Sequence, residues 1–437
     1  MAIATKMLTS EDRFTNLFNE LKKTRFSSDP TFISQLREYA IDHFEKSGIP
    51  NRRDEKWKYT PIAKALKFDW DYQPLTNSYD DGYTVSPGFK AHEIILHGNQ
   101  LKMGANPLPN DVVVMSLDTA FNSGDGDFES HYGSYAQIAT EPFTALNTAF
   151  AETGAFIHVP DGITLDLPIH IITIVDNNEA TCIHPRNLIL TGKNSSIKLI
   201  ETAQVINKKN KPLLINSVSE IICGENTFVD RYQVQDEDCS NIKMINTTQV
   251  HQKAYSNFTN TSLAIQTEFT RNNINVEHDG EYCETNMNGL YTLDQNQHLD
   301  NHTVVNHNVP NCLSNELYIG ILKGKATGIF NGKVYVKKDA QKTNAFQSNK
   351  NILLSDDATM NSKPELEIYA DDVKCSHGST TGELEEEALF YLRSRGISQE
   401  NATVMLLHGF VGEIIEQIKV EPLKEFLSSK LETRLNQ

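Results

Sequence analysis

The sequence predicts a mainly β chain: a β-solenoid (β-helix) core flanked by N- and C-terminal α-helical domains. Three observations carry this reading. From about residue 155 to 378, short strand-like runs follow one another with few helical signals. Asparagine is dense between 241 and 311. Both ends of the chain carry apolar residues spaced three and four apart.

Residues 1–70 read as an N-terminal helical domain. Thr9 or Ser10 caps a segment with Phe14, Leu17, Phe18 and Leu21 on one face. Asp29-Pro30 opens a second with Phe32, Ile33, Leu36, Tyr39 and Phe44. After Gly48-Ile49-Pro50 comes Arg52-Arg53-Asp54-Glu55-Lys56-Trp57-Lys58-Tyr59-Thr60, either a docking surface or a solvated face that covers one Trp. Residues 71–150 form a mixed connecting region with one clear apolar stretch, Asp111-Val112-Val113-Val114-Met115.

The core spans 151–378. Runs such as 169–174, 187–190, 196–200, 213–222, 227–234, 262–269, 273–278, 302–309 and 366–369 are strand-like, and many alternate: Ile197 and Leu199 share one face, Lys198 and Ile200 the other. Even strand spacing permits a sandwich, a barrel or a solenoid. Asparagine tips the balance, because it tolerates left-handed turns and its amides can stack between coils. At solenoid repeat lengths the region holds roughly six to ten coils. A stack needs covered ends, and the terminal helices are expected to cap them.

Residues 379–437 return to the helical period. Leu384, Ala388 and Leu392 precede a stop at Gly396. Ser398 caps a helix with Val404, Leu407, Val411, Ile414 and Ile418. Pro422 opens a third with Leu423, Phe426, Leu427 and Leu431. These amphipathic faces suit either the solenoid's end or a partner's helix.

The 437 residues carry 40 Lys+Arg against 57 Asp+Glu, a formal charge of −17, which argues against nucleic acid or an anionic membrane as partner. No apolar run reaches the roughly 18 residues of a membrane span, and the first residues lack the apolar stretch of a secretory signal. Six scattered cysteines, Cys182, Cys223, Cys239, Cys283, Cys312 and Cys375, do not form a disulfide framework, so a cytoplasmic protein is expected.

Enzyme signatures are missing. Gly192-Lys193-Asn194-Ser195 lacks the loop of a nucleotide-binding motif, and there is no Gly-x-Ser-x-Gly, His-Glu-x-x-His or strand-linked Gly-x-Gly-x-x-Gly. Lys374-Cys375-Ser376-His377-Gly378 is more informative, because residues two apart on a strand face the same way. Cys375 and His377 can therefore reach one metal, with iron or zinc the chemistry that suits them, yet a closed site needs about four ligands. The remainder would come from elsewhere, with another subunit as one source; the alternative is a packed Cys beside a hydrogen-bonded His. His298, Asp300, His302 and His307 form a second candidate, weakened because the first two histidines share a strand face and the third takes the other. Asp371 and Asp372 either add oxygen ligands or end a strand.

Several segments strongly resemble the SufB/SufD family: Phe330-Asn331-Gly332-Lys333, Gln341 to Asn349, Pro364 to Gly378, and Phe390-Tyr391-Leu392-Arg393-Ser394-Arg395-Gly396-Ile397. The Lys-Cys-Ser-His-Gly signature, with Arg53 to Thr60, is similar to the SufD branch rather than SufB. Ser379 stands where the family often has Ala.

The resemblance implies a right-handed parallel β-helix in a non-catalytic scaffold subunit of the SUF iron–sulfur cluster assembly machine. It implies pairing with a SufB-like paralogue, docking of a SufC-like ATPase through the C-terminal helices, with Leu407, Phe410 and Ile414 as candidate docking residues, and a part in iron acquisition. Cys375 and His377 would share a nascent cluster with the partner. No cofactor is expected to be tightly bound in the isolated chain, only iron or a cluster held transiently in the complex, and the isolated chain is a candidate homodimer. The competing readings are a glycan-active β-helix enzyme, argued against by the cytoplasmic character, and the cluster-carrying SufB itself.

Overall fold

A computed structural model describes residues 10–66, 88–177, 179–207, 209–237 and 241–436. Two long sheets face each other in a parallel β-solenoid of about 8 turns. The first runs β2 (Gln100–Met103), β1 (His92–His97), β5 (Ile169–Asp176), β8 (Ser196–Ile206), β10 (Phe228–Asp236), β12 (Asn257–Gln266), β14 (Glu284–Leu293), β16 (Leu313–Leu322), β18 (Thr343–Leu353) and β20 (Val373–Gly382). The second runs β3 (Val113–Ser116), β4 (Ala155–Val159), β7 (Arg186–Thr191), β9 (Leu213–Cys223), β11 (Ile242–Gln252), β13 (Phe269–His278), β15 (His298–His307), β17 (Thr327–Val336) and β19 (Thr359–Ile368), with β6 (Thr181–Ile183) beside β9. Among the described residues, only the β1–β2 and β3–β4 pairs are antiparallel. The solenoid thus begins within the region read as connecting, since β1 already pairs in parallel with β5.

Parallel, in-register coils stack like on like, so each inward position becomes a file along the axis. Apolar files such as Val276, Val305 and Val334 fill the lumen. Other files are amides. Asn246 Nδ2 donates to Asn272 Oδ1 and Asn272 Nδ2 to Asn301 Oδ1, both at 2.9 Å, which is the stacking the asparagine density suggested. Asparagine also turns the corners: Asn194, Asn226, Asn241 and Asn311 adopt positive φ, and Asn226 Nδ2 donates to Asn194 Oδ1 at 2.7 Å between successive corners. At Gly320 a Cβ would stand 2.2 Å from the Tyr291 ring, so that close approach excludes every other residue.

The N-terminal helices α1 (Ser10–Lys23), α2 (Thr31–Ser47) and α3 (Ile62–Ala65) lie against the outer face of the second sheet. Phe14, Phe18, Phe44 and Trp57 meet Leu214, Ile245 and Phe269 there. Between them in sequence and the core come α4 (Leu117–Ser123), α5 (Gly126–His131) and α6 (Pro142–Phe150); the last packs on α2 and β9. Beneath these helices, buried ion pairs link neighbouring strands of the second sheet, among them Arg186 with Glu220 at 2.7 Å and Arg271 with Asp300 at 2.7 Å.

The C-terminal helices overturn one expectation. Helices α8 (Gln399–Ile415) and α9 (Glu421–Leu435), preceded by α7 (Glu386–Ser394), do not cap the solenoid's end. They lie along its flank: α8 on β14 and β16, α9 on β12, sealing the outer apolar face formed by Tyr232, Leu263, Leu290 and Ile319. An amphipathic stripe states how much surface a helix must bury but not which surface. Among the described residues, no strand pairs with the outer edges of β19 and β20, whose side chains are half-buried or exposed along their length.

Candidate functional site

The final strand of the first sheet holds the Cys-x-His pair. Because β20 runs to Gly382, Cys375 and His377 sit within the strand rather than at the end of one. Register decides their direction. Cys375 aligns with Ala345 and Ser314, and His377 with Gln347 and Glu316, all four of those residues being buried in the lumen. The pair therefore faces the axis of the solenoid at its open mouth, opposite the inward residues of β19. Ser379 Oγ donates to Ser362 Oγ at 2.8 Å across that mouth, so the departure from Ala at this position adds a polar tie between the last two strands.

Cys375 is half-buried against the apolar cluster that includes Val334, Val336 and Ala345, and this burial pushes its thiol pKa up. A thiolate there needs a metal ion or a cation brought from outside. His377 is exposed. Among the described residues no three His, Cys, Asp or Glu groups converge to hold a metal, so the pair offers an incomplete ligand set.

Behind His377 runs a polar file that spacing did not reveal. Gln347 Nε2 donates to Glu316 Oε1 at 3.2 Å, and Thr303 Oγ1 reaches across the lumen to Glu316 Oε2 at 2.6 Å. Burial raises the Glu316 carboxyl from 4.5 to about 7, opposed by its hydrogen bonds from Thr303 and Gln347. The folded state thus binds this proton more tightly than the unfolded one. Stability should fall as pH rises above about 4.5 and level off above about 7, by about 3 kcal/mol at roughly 1.4 kcal/mol per decade. Urea titrations of wild type and Glu316→Gln across pH 4.5–7.5 check this; the variant should lose that component of the slope.

The second candidate divides as its spacing implied. His298, Asp300 and His302 lie on the outer face of β15 and His307 points inward, where its Nδ1 is 3.2 Å from Nδ1 of His278. Burial pushes the Asp300 carboxyl up, yet the His302 and Arg271 contacts and a hydrogen bond from Thr60 overrule it and hold the group well below its usual range. Burial and the Arg271 charge in turn lower the His302 pKa, which leaves Arg271 as the dominant counter-charge. Asp300 is thus committed to structure. Asp371 and Asp372 lie in the turn before β20, where Asp372 N donates to Gln341 Oε1 at 2.9 Å and its carbonyl accepts from Lys342 N. Cys239 and the Thr9 cap lie outside the described residues.

The three docking candidates are not equivalent. Leu407 and Ile414 are 1% and 0% exposed, packed into the chain's own core on the first sheet, and are closed to a partner in this conformation; Phe410 is partly buried beside them. The apolar side chains that do face outward are Phe390 (75%), Tyr391 (58%) and Met405 (51%) on α7 and α8. Helical periodicity marked the buried stripe and passed over them. Among the described residues, no helix is long and apolar enough to cross a membrane.

Comparison with known proteins supplies the context. The model for the SufBD core domain of SUF-system FeS cluster assembly matches residues 173–410, and that for the SufBD N-terminal region matches 8–171. A SufBD family iron–sulfur cluster assembly protein of Synechocystis is 29% identical over 441 residues, 97% of each chain. The iron–sulfur cluster assembly protein SufD of Escherichia coli is 26% identical over 415 residues, 94% of this chain and 95% of its own. SufD of Bacillus subtilis is 24% identical over 458 residues, 100% of both. With the core match alone covering more than half of its length, this chain belongs to the SufBD family of SUF-system iron–sulfur cluster assembly proteins.

Proposed function

We propose that the chain is a non-catalytic scaffold that pairs with a SufB-like paralogue through the open end of its solenoid and contributes Cys375 and His377 to a nascent cluster shared across that seam. The observation that carries this is the coincidence of the Cys-x-His pair with the uncovered terminal coil. Strands β19 and β20, ten residues each, end the two sheets with unpaired edges, which are templates for another chain's strands. A second coil laid on that mouth would face the thiol and the imidazole directly.

The remaining roles rest on the family relationship and on exposed surface. A SufC-like ATPase docks on the C-terminal helices, with Phe390, Tyr391 and Met405 as the apolar contacts in place of Leu407 and Ile414. ATP-driven closure of the ATPase strains the seam and opens it to iron and sulfide, which are cargo of the complex. The Cys375 thiol must lose its proton to bind, so loading weakens in acid. The same open end would let isolated chains pair with each other.

Native mass measurement of the chain mixed with a SufB-like paralogue tests the pairing. Wild type should give a one-to-one complex. Ser362→Arg combined with Ser379→Arg places two cations at the lumen mouth, where the partner's coil must stack, and should weaken pairing at least about tenfold while leaving the monomer folded. An unchanged complex would place the interface elsewhere.

A further inference from the structure

The Arg52–Thr60 segment has no part in the cluster site, yet it is built into the fold with unusual care. Trp57 is buried beneath the Arg271 guanidinium, 3.8 Å from its ring centroid, and against Phe143. Arg271 Nη1 donates at 2.7 Å to the Lys56 carbonyl and at 2.7 Å to Asp300 Oδ2, the same oxygen to which Thr60 Oγ1 donates. A fully buried pair of this kind loses much of its attraction to desolvation, so its value lies in fixing one geometry. Here it fixes the segment's apolar side on β13 and β15.

The opposite side of the segment is thereby aimed at a cleft of about 390 Å³. One wall is Arg52, Arg53, Lys56 and Lys58, with Tyr59; the other is the outer face of β15, β17 and β19, where His302, Asn331 and Lys363 form one file and Ile329 and Asn361 lie in the next. Some of the charge is internally balanced: Lys363 holds Glu55 and Glu365 at 2.7 Å, and Lys56 holds Glu141 at 2.5 Å. Asp300, on the cleft floor, is 1% exposed and is held by Arg271. Arg52, Arg53 and Lys58 make no ion pair among the described residues. Two guanidinium groups without an ion pair, and Lys58 beside the Tyr59 ring at 5.3 Å, thus line a cleft that also holds Glu55, in a chain of net charge −17.

We propose that this cleft binds a diphosphate-sized oxyanion, clamped between the guanidinium groups of Arg52 and Arg53 and the β-face of Asn331 and Lys363. Cations lining a low-dielectric concavity focus the local field against the acidic background. Arginine forks match phosphate oxygens two at a time, and Asn331 and Asn361 supply neutral amide donors, while the N–H of His302 is turned to Asp300 at 3.0 Å. The volume falls in the range of small-molecule sites. Asn361 and Lys363 lie on the terminal strand β19, so the ligand would sit beside the open end. The inference does not depend on the proposed cluster site.

Titration calorimetry of the full chain with inorganic pyrophosphate tests it. Saturable one-site binding is expected, with affinity falling as salt is raised. Arg52→Ala with Arg53→Ala should weaken it at least about tenfold, and Lys363→Ala should weaken it severalfold. Lys193→Ala, on an exposed corner paired with Glu225, should leave it unchanged. All substituted side chains are at the surface or its edge, and matching thermal midpoints will show that the fold is kept. Binding of ADP tighter than pyrophosphate assigns the cleft to a nucleotide's diphosphate, and equal binding assigns it to the free anion; both require the Arg52/Arg53 dependence. Absence of saturable binding at millimolar pyrophosphate, or binding untouched in the double variant, overturns the proposal.

Discussion

Glu220→Ala is expected to destabilise the chain by about 3–5 kcal/mol, a larger loss than a typical buried apolar truncation of the same size would cause. Glu220 projects from β9 with no exposure, and its two oxygens accept four hydrogen bonds: Arg186 Nη2 at 2.7 Å, and the backbone amides of Gly133, Tyr135 and Ala136 at 3.1, 3.0 and 2.9 Å. Among the described residues, removing the carboxylate leaves a guanidinium in the interior with only Asn147, Thr148 and the Tyr132 ring, and leaves three amides without their acceptor. Glu220→Gln keeps an acceptor for the amides and removes only the charge, so its loss should be smaller. Urea unfolding at constant m-value measures both. Equal midpoints for Glu220→Ala and wild type would mean that the loop following α5 is not held by this carboxylate.

His377→Ala is expected to lower cluster yield in the reconstituted complex about tenfold or more, with the complex still assembled. The reasoning is geometric. Cys375 and His377 face the lumen axis from a strand that has a neighbour on one side only, so both contact whatever chain is laid on the other. An exposed imidazole on an edge strand contributes little to the chain's own stability, and its loss should be felt in ligation alone. Cys375→Ser should act in the same direction with a small additional cost, since the thiol packs on the cluster of Val334, Val336 and Ala345.

Much of this architecture was readable from pattern. Residues two apart share a strand face, so Cys375 and His377 were placed together by spacing, and His307 was separated from His298 and His302 for the same reason. The helices were readable because Pro30, Gly48, Ser398 and Pro422 stand at or beside their ends. Strands β11, β14, β16, β17 and β18 are among those the pattern passes over; in β11, β14 and β18 the buried faces carry amides, hydroxyls and Gly in place of an apolar alternation. The run 262–269 was read as one strand and holds a corner, with β12 ending at Gln266 and β13 starting at Phe269. The Glu316–Gln347–His377 file exists only through inter-strand register, which joins residues about thirty positions apart and leaves no local signal. The uncovered end is likewise a property of where α8 and α9 dock, and their sequences say only that they dock.

The most direct measurement is iron and sulfide content after anaerobic reconstitution of this chain alone, its SufB-like partner alone, the wild-type pair, and the pair carrying His377→Ala with Cys375→Ser. If the two side chains are part of a ligand shell completed across the seam, the chain alone stays empty, the wild-type pair loads, and the doubly substituted pair assembles but loads about tenfold less or worse. Full loading of the doubly substituted pair, or stable loading of this chain without a partner, would contradict a site shared between subunits.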